Sequence, residues 1–454
     1  MKRLNTSLLI LLVVLLSACG SSSGDSTSGT GSTGGGNQGI NEGTNYNACP
    51  GSTNTTAAAA EDEEITLTVS YAASSPAEDA LVKQNLDGFT KAHPKIKLNI
   101  SAINGDYTTK MRANISAGNV ADVFYLQPNM SSGYISAGKL LNLVPYMTRD
   151  NVQSSDFYGA LMTPFSCKDG HVFGLPKDWN TLGVFYNKKM FQEAGIAAPT
   201  AKWTWDDMSA TAKKLTKAGN AATSVYGITL APDASRWGAF LYGAGGTMLN
   251  QDGTQAAFNS QAGIDSLKFY TGFQKDGSSV MPAQVSAGWA GDAFGKQRAA
   301  MALEGGWLIP YLKATYPDVQ YDIAPLPVAT GTGKQADLIF TNAWAAYSGS
   351  KHPDAAWQLI KYMTGETVQT SQLHAGFALP TLKSLANDPY FTEHPGSKVM
   401  FDAASYGYAD YFGPQDAVIH DRLQKAIEKV LLGTADVETA LKDAASQINN
   451  ELQV

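Results

Sequence analysis

Ile65, Leu67, Val69 and Tyr71 alternate with polar residues, Val82, Leu86 and Phe89 then recur at helical spacing, and Ile96, Leu98 and Ile100 alternate again. A period of two, then one near 3.6, then two again is a strand–helix–strand opening. Val120 to Leu126 follows as a nearly continuous apolar run, the pattern of a strand covered on both faces of a largely parallel sheet. Helix signals continue the grammar. Thr204 with Asp207 three residues on makes a capping box ahead of Met208, Ala212 and Leu215, and Pro353 stands at a first-turn position before Trp357, Ile360 and Met363. From about Asp416 to Leu452 strand signals cease, and Ile419, Leu423, Ile427 and Val430 mark one face of a helix. The fold class is therefore α/β with a helical C-terminal segment, and no internal repeat is evident.

The N-terminus reads differently. Lys2 and Arg3 precede the apolar run Leu8 to Leu16, whose length of about ten residues suits a signal peptide and falls short of the roughly twenty of a spanning helix. The run ends in Leu16-Ser17-Ala18-Cys19, which resembles the lipobox of bacterial lipoproteins. That resemblance implies removal of residues 1–18, a diacylglycerol on Cys19, and an extracytoplasmic protein anchored to a bacterial membrane; the competing reading is an uncleaved anchor. From Gly20 to about Glu61 the chain is mostly Gly, Ser, Thr, Asn and Ala, with too little to bury to offset its conformational entropy. A disordered tether over 19–61 is expected, with a reach of roughly 35 Å.

About 390 residues remain, more than one hydrophobic core usually serves, so two lobes are expected. Loss of Lys2 and Arg3 with the leader moves the formal charge from -7 to -9, which argues against nucleic acid and against electrostatic membrane binding. Membrane attachment would be through the N-terminal lipid only. Of the three cysteines, Cys49 and Cys167 remain after Cys19 is assigned to lipid. In an oxidising exterior they either pair, pinning the tether to the body, or stay as free thiols.

Enzyme signals are missing from the folded region. Gly291 to Lys296 and Gly331 to Lys334 lack the glycine spacing and the following Ser or Thr of a phosphate loop, and the histidines show no paired metal spacing. No cofactor and no metal are expected. Asp206 and Asp207 fit a helix start, although hydrolytic carboxylates meet only in space and stay open.

The run from Gly174 to Gly195, GLPKDWNTLGVFYNKKMFQEAG, followed by Pro199 and Trp203-Thr-Trp-Asp-Asp, resembles the central signature of the family 1 extracellular solute-binding proteins. These are the sugar-binding components of ATP-binding-cassette (ABC) importers, maltose-binding-protein-like in fold. Ala121-Asp-Val, Gly133-Tyr, Gly138-Lys-Leu-Leu, the stretch Ala300 to Trp307, the stretch Ser350 to Trp357 and Gly376-Phe-Ala-Leu-Pro380 resemble further blocks in the family's order. The resemblance spans about residue 62 to the end. It implies two lobes of mostly parallel sheet flanked by helices, 62–178 plus 330–380 and 179–329 plus 381–454, joined by crossing strands.

It also implies cleft residues. Lys177 to Asn180 fall where the family's chain crosses between lobes, with Asp178 and Asn180 placed for sugar hydroxyls and Trp179 for a ring face; Asn187 reads as the cap of the next helix, with Met190, Phe191 and Ala194 on its inner side. Gln127 and Asn129 occupy the turn after a strand, where polar ligand contacts are common. Asp233, Arg236 and Trp237 match a region of aromatic and acidic sugar contacts. Gly306 with Trp307 resembles a cleft tryptophan beside a glycine that lets ligand approach the backbone. Asn342 and Trp344 follow a returning strand, and Tyr406, Tyr408 and Tyr411 form a late aromatic run.

Sugar recognition needs such a mixture, a flat aromatic for the C–H face and Asp, Asn, Gln or Arg for the hydroxyl rim. Eight tryptophans and twenty tyrosines suit it. After the leader only Arg112, Arg149, Arg236, Arg298 and Arg422 remain, with no evident clamp for phosphate or carboxylate. The resulting expectation is a monomeric, non-enzymatic binding protein that delivers a mono- or oligosaccharide to the permease subunits of an importer. The alternatives are a binding protein for a polyamine or peptide, a secreted polysaccharide-acting enzyme using Asp178, and a sensor subunit.

Overall fold

The computed structural model describes residues 49, 56–59, 63–72, 76–103, 107–220 and 223–452. The leader, Cys19 and most of the tether lie outside the described residues.

Among the described residues ten strands carry the fold: β1 (Ile65–Ala72), β2 (Ile96–Ile103), β3 (Val123–Leu126), β4 (Leu175–Asn187), β5 (Ile228–Thr229), β6 (Ser279–Val280), β7 (Met301–Gly305), β8 (Tyr321–Ala324), β9 (Asp337–Ala346) and β10 (Gly407–Ala409). Their lateral order is β2-β1-β3-β9-β4-β7-β5-β6, with β10 on β9 and β8 on β4. The opening unit forms as its periodicity requires. β1 and β2 pair in parallel from Ile65 opposite Ile96 to Ala72 opposite Ile103, and the helix Pro76–Ala92 between them buries Val82, Leu86 and Phe89. β3 is shorter than its apolar run, starting at Val123, and all four of its residues are buried.

Parallel pairing rules the outer strands, β1 with β2 and β3, and β5 with β6 and β7. The centre is antiparallel. β4 is thirteen residues long and changes partner along its length, pairing with β9 from Leu175 to Thr181 and with β7 and β8 from Leu182 to Asn187. β9 turns back the other way, against β4 and β3. A strand that leaves one sheet and enters the next must run against the strand that returns, so the mixture follows from having two crossings.

The hydrophobic cores divide at these crossings. One gathers residues from Ile65 to Leu175 with Ala343 to Val368. A second gathers Leu182 to Leu338 with Phe412 to Ile448, including the C-terminal helices Asp416–Leu431 and Val437–Leu452. The protein is thus two-lobed. A third core lies between, built from Leu161, Trp179, Phe185, Leu379, Phe391 and Met400 among others, so the segment after residue 381 first packs at the junction before its helices join the second lobe.

Local signals hold the pieces in register. Thr204 Oγ1 accepts from the Asp207 N–H at 3.2 Å while Asp207 Oδ2 accepts from the Thr204 N–H at 2.9 Å, closing the capping box. Asn187 Oδ1 accepts from the Met190 N–H at 3.1 Å and starts the helix Lys188–Glu193. Phe191 is buried there, but Ala194 lies past the helix end and is exposed. Cys49 and Cys167 form a disulfide, Cα–Cα 6.0 Å. Beyond it, Ala58 donates to the Tyr146 hydroxyl at 3.3 Å and its carbonyl accepts from Arg149 at 3.1 Å. The end of the tether is therefore fastened to the first lobe at separate points. No helix among the described residues is long and apolar enough to cross a membrane.

Candidate functional site

The crossing strands floor a cleft of two connected chambers. The inner one, 250 Å³, is walled by Glu78, Leu81 and Val82 of the first lobe, by Tyr125, and by Gln372, Phe377 and Ala378. An outer one, 690 Å³, extends to Asn129 on one side and to Ser235, Asp410, Asp416 and His420 on the other. Gln127, Trp307, Phe340 and Asn342 line both. Trp307 and Phe340 face each other nearly at right angles, 5.5 Å between ring centres and 86° between planes. Flat apolar surfaces thereby meet polar side chains contributed by both lobes, in a cleft of the size that takes small ligands.

Strand periodicity decides which residues of β4 reach this cleft. Asp178 and Asn180 lie on one face and line the inner chamber, whereas Trp179 points the opposite way. Trp179, expected at a ring face of the ligand, is 1% exposed, donates to the Pro380 carbonyl at 2.6 Å and packs on Phe401 in the junction core. A register shift between Pro176 and Asp178 breaks the alternation and turns Lys177 into the chamber as well. Its ammonium pairs with Asp178, lies 4.0 Å from Glu78 and sits 4.3 Å above the Tyr125 ring.

Two more expected aromatics are core. Trp237 is fully buried, with Nε1 donating to Ser266 Oγ at 3.0 Å. Its position in the helix Ala234–Gly243 turns it inward, away from the lobe surface. Trp344 shares its face of β9 with Phe340 and Asn342, but Tyr125 covers it edge-on at 4.3 Å and it is fully buried. Gln127 and Asn129 hold their places in the cleft, although the expected turn is the start of a helix, Pro128–Ser136. Tyr406 and Tyr408 line neither chamber. Burial and the nearby Asp337 carboxylate raise the Tyr406 phenol, and Tyr408 stacks flat on Tyr242 at 4.0 Å. Tyr411 is buried and hydrogen-bonded to the Ser132 hydroxyl, tying the second lobe to the first.

Asp233 and Arg236 line neither chamber and belong to a partly buried charge network that ends on the buried Glu304. Asp233 caps the helix by accepting from the Arg236 N–H at 2.9 Å. The Arg236 guanidinium bonds Asp233 Oδ2 and Glu304 Oε2, each at 2.6 Å, and the Leu303 carbonyl at 3.1 Å. Glu304, 1% exposed, then accepts from Trp307 Nε1 at 2.9 Å. The network holds the indole edge and leaves its face to the cleft. Gly306 serves the protein's own side chain: a Cβ there would lie 2.3 Å from Asn180 Oδ1.

In the outer chamber His420 lies 3.6 Å from both Asp410 and Asp416, under the Phe412 ring. Burial pushes the imidazole down, but the two carboxylates outweigh it and raise it to about 10. A base raised in the folded state contributes stability that is complete below its unfolded value, near 6.5, and is lost as pH rises toward 10. The His420 ring nitrogens are expected to stay protonated through pH 8 in NMR spectra and to lose the proton only above that, while burial holds Asp410 up to about 6, so a small step there reports the carboxylate; loss of the ring proton itself near 6.5 would break the ion-pair assignment.

Lys177, at the start of the crossing segment picked out from sequence, does line the inner chamber, whereas Phe340, Tyr125 and Gln372 were not singled out from sequence. Only the alternation of Phe340 with Asn342 carried a usable signal, while Gln372 lies on a helix and resembles any other polar residue.

Two lobes, two strand crossings and a cleft between them define a two-lobed solute-binding protein. The chain belongs to the bacterial extracellular solute-binding protein family, whose model matches residues 72–370. Among curated relatives, the maltotriose-binding protein of Pyrococcus abyssi is 24% identical over 77% of this chain and 74% of its own. The galactooligosaccharide-binding protein of Bacillus subtilis is 22% identical over 82% and 86%. Among solved structures, an ABC substrate-binding protein from Listeria monocytogenes in complex with cycloalternan matches with TM-score 0.77 and 27% identity, covering 86% of this chain and 99% of that one. A solute-binding protein from Thermotoga lettingae bound with alpha-D-tagatose gives 0.75 and 25%, over 85% and 99%. The family and these neighbours are binding proteins.

Proposed function

We propose that this protein is a lipid-anchored, monomeric receptor that captures a mono- or oligosaccharide between its lobes and hands it to the permease subunits of an ABC importer. The observation that carries the reading is the perpendicular Trp307–Phe340 pair at the lobe junction, ringed by Gln127, Asp178, Asn180 and Asn342. Aromatic faces take the C–H surface of a pyranose and the polar groups take its hydroxyls. The named specificities of the relatives, maltotriose, galactooligosaccharide and cycloalternan, support a glycan of this kind. Micromolar affinity, about 8 kcal/mol, is within reach of one or two stacked rings and a few charge-assisted hydrogen bonds.

The lobes are assigned as 62–178 plus 330–380 and 179–329 plus 381–454, with bending at β4 and β9. Ligand that touches both lobes favours closure by the contacts the open state lacks. The protein itself performs no chemistry, and Cys19 carries the lipid.

Thermal denaturation of protein lacking residues 1–19, screened against mono- and oligosaccharides with amino acids, polyamines and phosphates as controls, tests this. A glycan at a hundred times its Kd stabilises by about 2.7 kcal/mol and raises the melting temperature. Shifts with amines, peptides or anions alone would replace the carbohydrate by another solute.

A further inference from the structure

The inner chamber holds two buried polar atoms that the fold does not satisfy. Tyr125 is 2% exposed and Gln372 6%, and neither Tyr125 Oη nor Gln372 Oε1 has a hydrogen-bond partner among the described residues. Both side chains line the chamber. Their surroundings are otherwise tightly held. The Tyr125 carbonyl accepts from the Tyr107 hydroxyl at 2.8 Å, and its ring is fixed between Trp344 and the Lys177 ammonium. One turn before Gln372, Gln369 uses both ends of its amide, donating to the Lys177 carbonyl and accepting from the Thr381 N–H, each at 2.8 Å.

Stability does not account for either orphan. A buried polar atom without a partner costs about 1–3 kcal/mol, and phenylalanine or methionine would fill nearly the same space without that cost. Such atoms call for an explanation in what the site binds.

We propose that Tyr125 and Gln372 are specificity-determining residues of the cleft, with Gln372 Oε1 accepting a hydrogen bond from a ring hydroxyl in the inner chamber and Tyr125 Oη bonding a neighbouring one. This rests on the carbohydrate reading and narrows it. An amide oxygen demands a donor, so the sugar must carry a free hydroxyl there rather than a deoxy or ether carbon. Charge narrows it further. Among the described residues that line the chamber, Glu78 and Asp178 flank one cation, Lys177, so the lining carries excess negative charge and disfavours phosphate or carboxylate. The ring held there is neutral, not a sugar phosphate or a uronic acid.

Titration calorimetry on wild type, Tyr125→Phe and Gln372→Met tests the assignment. The probe is whichever of maltotriose, galactotriose and cycloalternan binds wild type most tightly. Each variant is expected to bind about tenfold more weakly, while its ligand-free melting temperature equals or exceeds that of wild type. A structural hydroxyl or amide would move the melting temperature down instead. Unchanged affinity overturns the role of that residue, and so does weakened binding accompanied by a lowered melting temperature. Glucose 6-phosphate or glucuronate binding as tightly as glucose would overturn the charge argument. If none of the three binds, the tightest glycan of the wider mono- and oligosaccharide screen serves as the probe, and wild type that binds no glycan of that screen overturns the carbohydrate reading and this assignment with it.

Discussion

Replacing Trp307 by alanine is expected to weaken glycan binding about a hundredfold while the ligand-free protein stays folded. Trp307 is half-buried, lines both chambers and opposes Phe340. Central aromatic anchors of this kind dominate binding energies, with losses of about 2–4 kcal/mol on truncation, and about 2.7 kcal/mol corresponds to a hundredfold. Folding tolerates the change because Trp307 is only partly buried, at the margin of two cores rather than inside either, and Glu304 keeps Arg236 as a partner. Trp307→Phe separates two contributions, since it retains a ring face but loses the Nε1 bond to Glu304. Titration calorimetry beside circular dichroism checks both variants. Affinity unchanged in Trp307→Ala would remove this tryptophan from the site.

Periodic patterns carried the architecture because each depends on a few neighbouring residues. The strand–helix–strand opening, the Thr204–Asp207 box and the C-terminal helices are all local, and each forms where its pattern lies. Orientation at the cleft is not local. Asp178, Trp179 and Asn180 read as one polar-aromatic cluster, yet a strand sends adjacent residues to opposite faces, and only the partner sheet decides which face is the cleft. Trp344 shows a further limit: it shares a face with Asn342, and its burial depends on Tyr125, more than two hundred residues earlier in the chain. Aromatic residues suit cores and binding sites equally, so composition cannot divide them. Gln372 and Tyr125 lacked any signal at all, because an unsatisfied atom is defined by what surrounds it in space.

Arg236 illustrates the same difficulty with charge, and its removal has the largest expected effect on stability. An arginine beside acidic residues in a loop-to-helix segment reads as a ligand contact. In the structure its guanidinium is spent on Asp233, Glu304 and the Leu303 carbonyl. Arg236→Met leaves two carboxylates facing each other without a cation, one of them 1% exposed, and breaking a buried pair from one side costs about 3–5 kcal/mol. The cost comes from the stranded charge, so Arg236→Met combined with Asp233→Asn and Glu304→Gln should recover most of it. Asparagine still caps the helix and glutamine still accepts from Trp307 Nε1.

The pH dependence has a defined sign. Burial holds the Glu304 carboxyl above its ordinary value, and losing Arg236 raises it further, so the folded variant binds a proton that the unfolded chain gives up near 4.5. Relative to wild type, the deficit of Arg236→Met is therefore smallest at low pH and grows as pH rises through 4.5 toward the raised value. Urea denaturation of wild type, single and triple variants from pH 4 to 8 measures this. A single variant within about 1 kcal/mol of wild type at pH 7 would mean that the network is solvated and that Arg236 is free to meet ligand. A large deficit repaired in the triple variant, with glycan affinity close to wild type, would place Arg236 behind the cleft as the residue that keeps Glu304 charged and Trp307 in position.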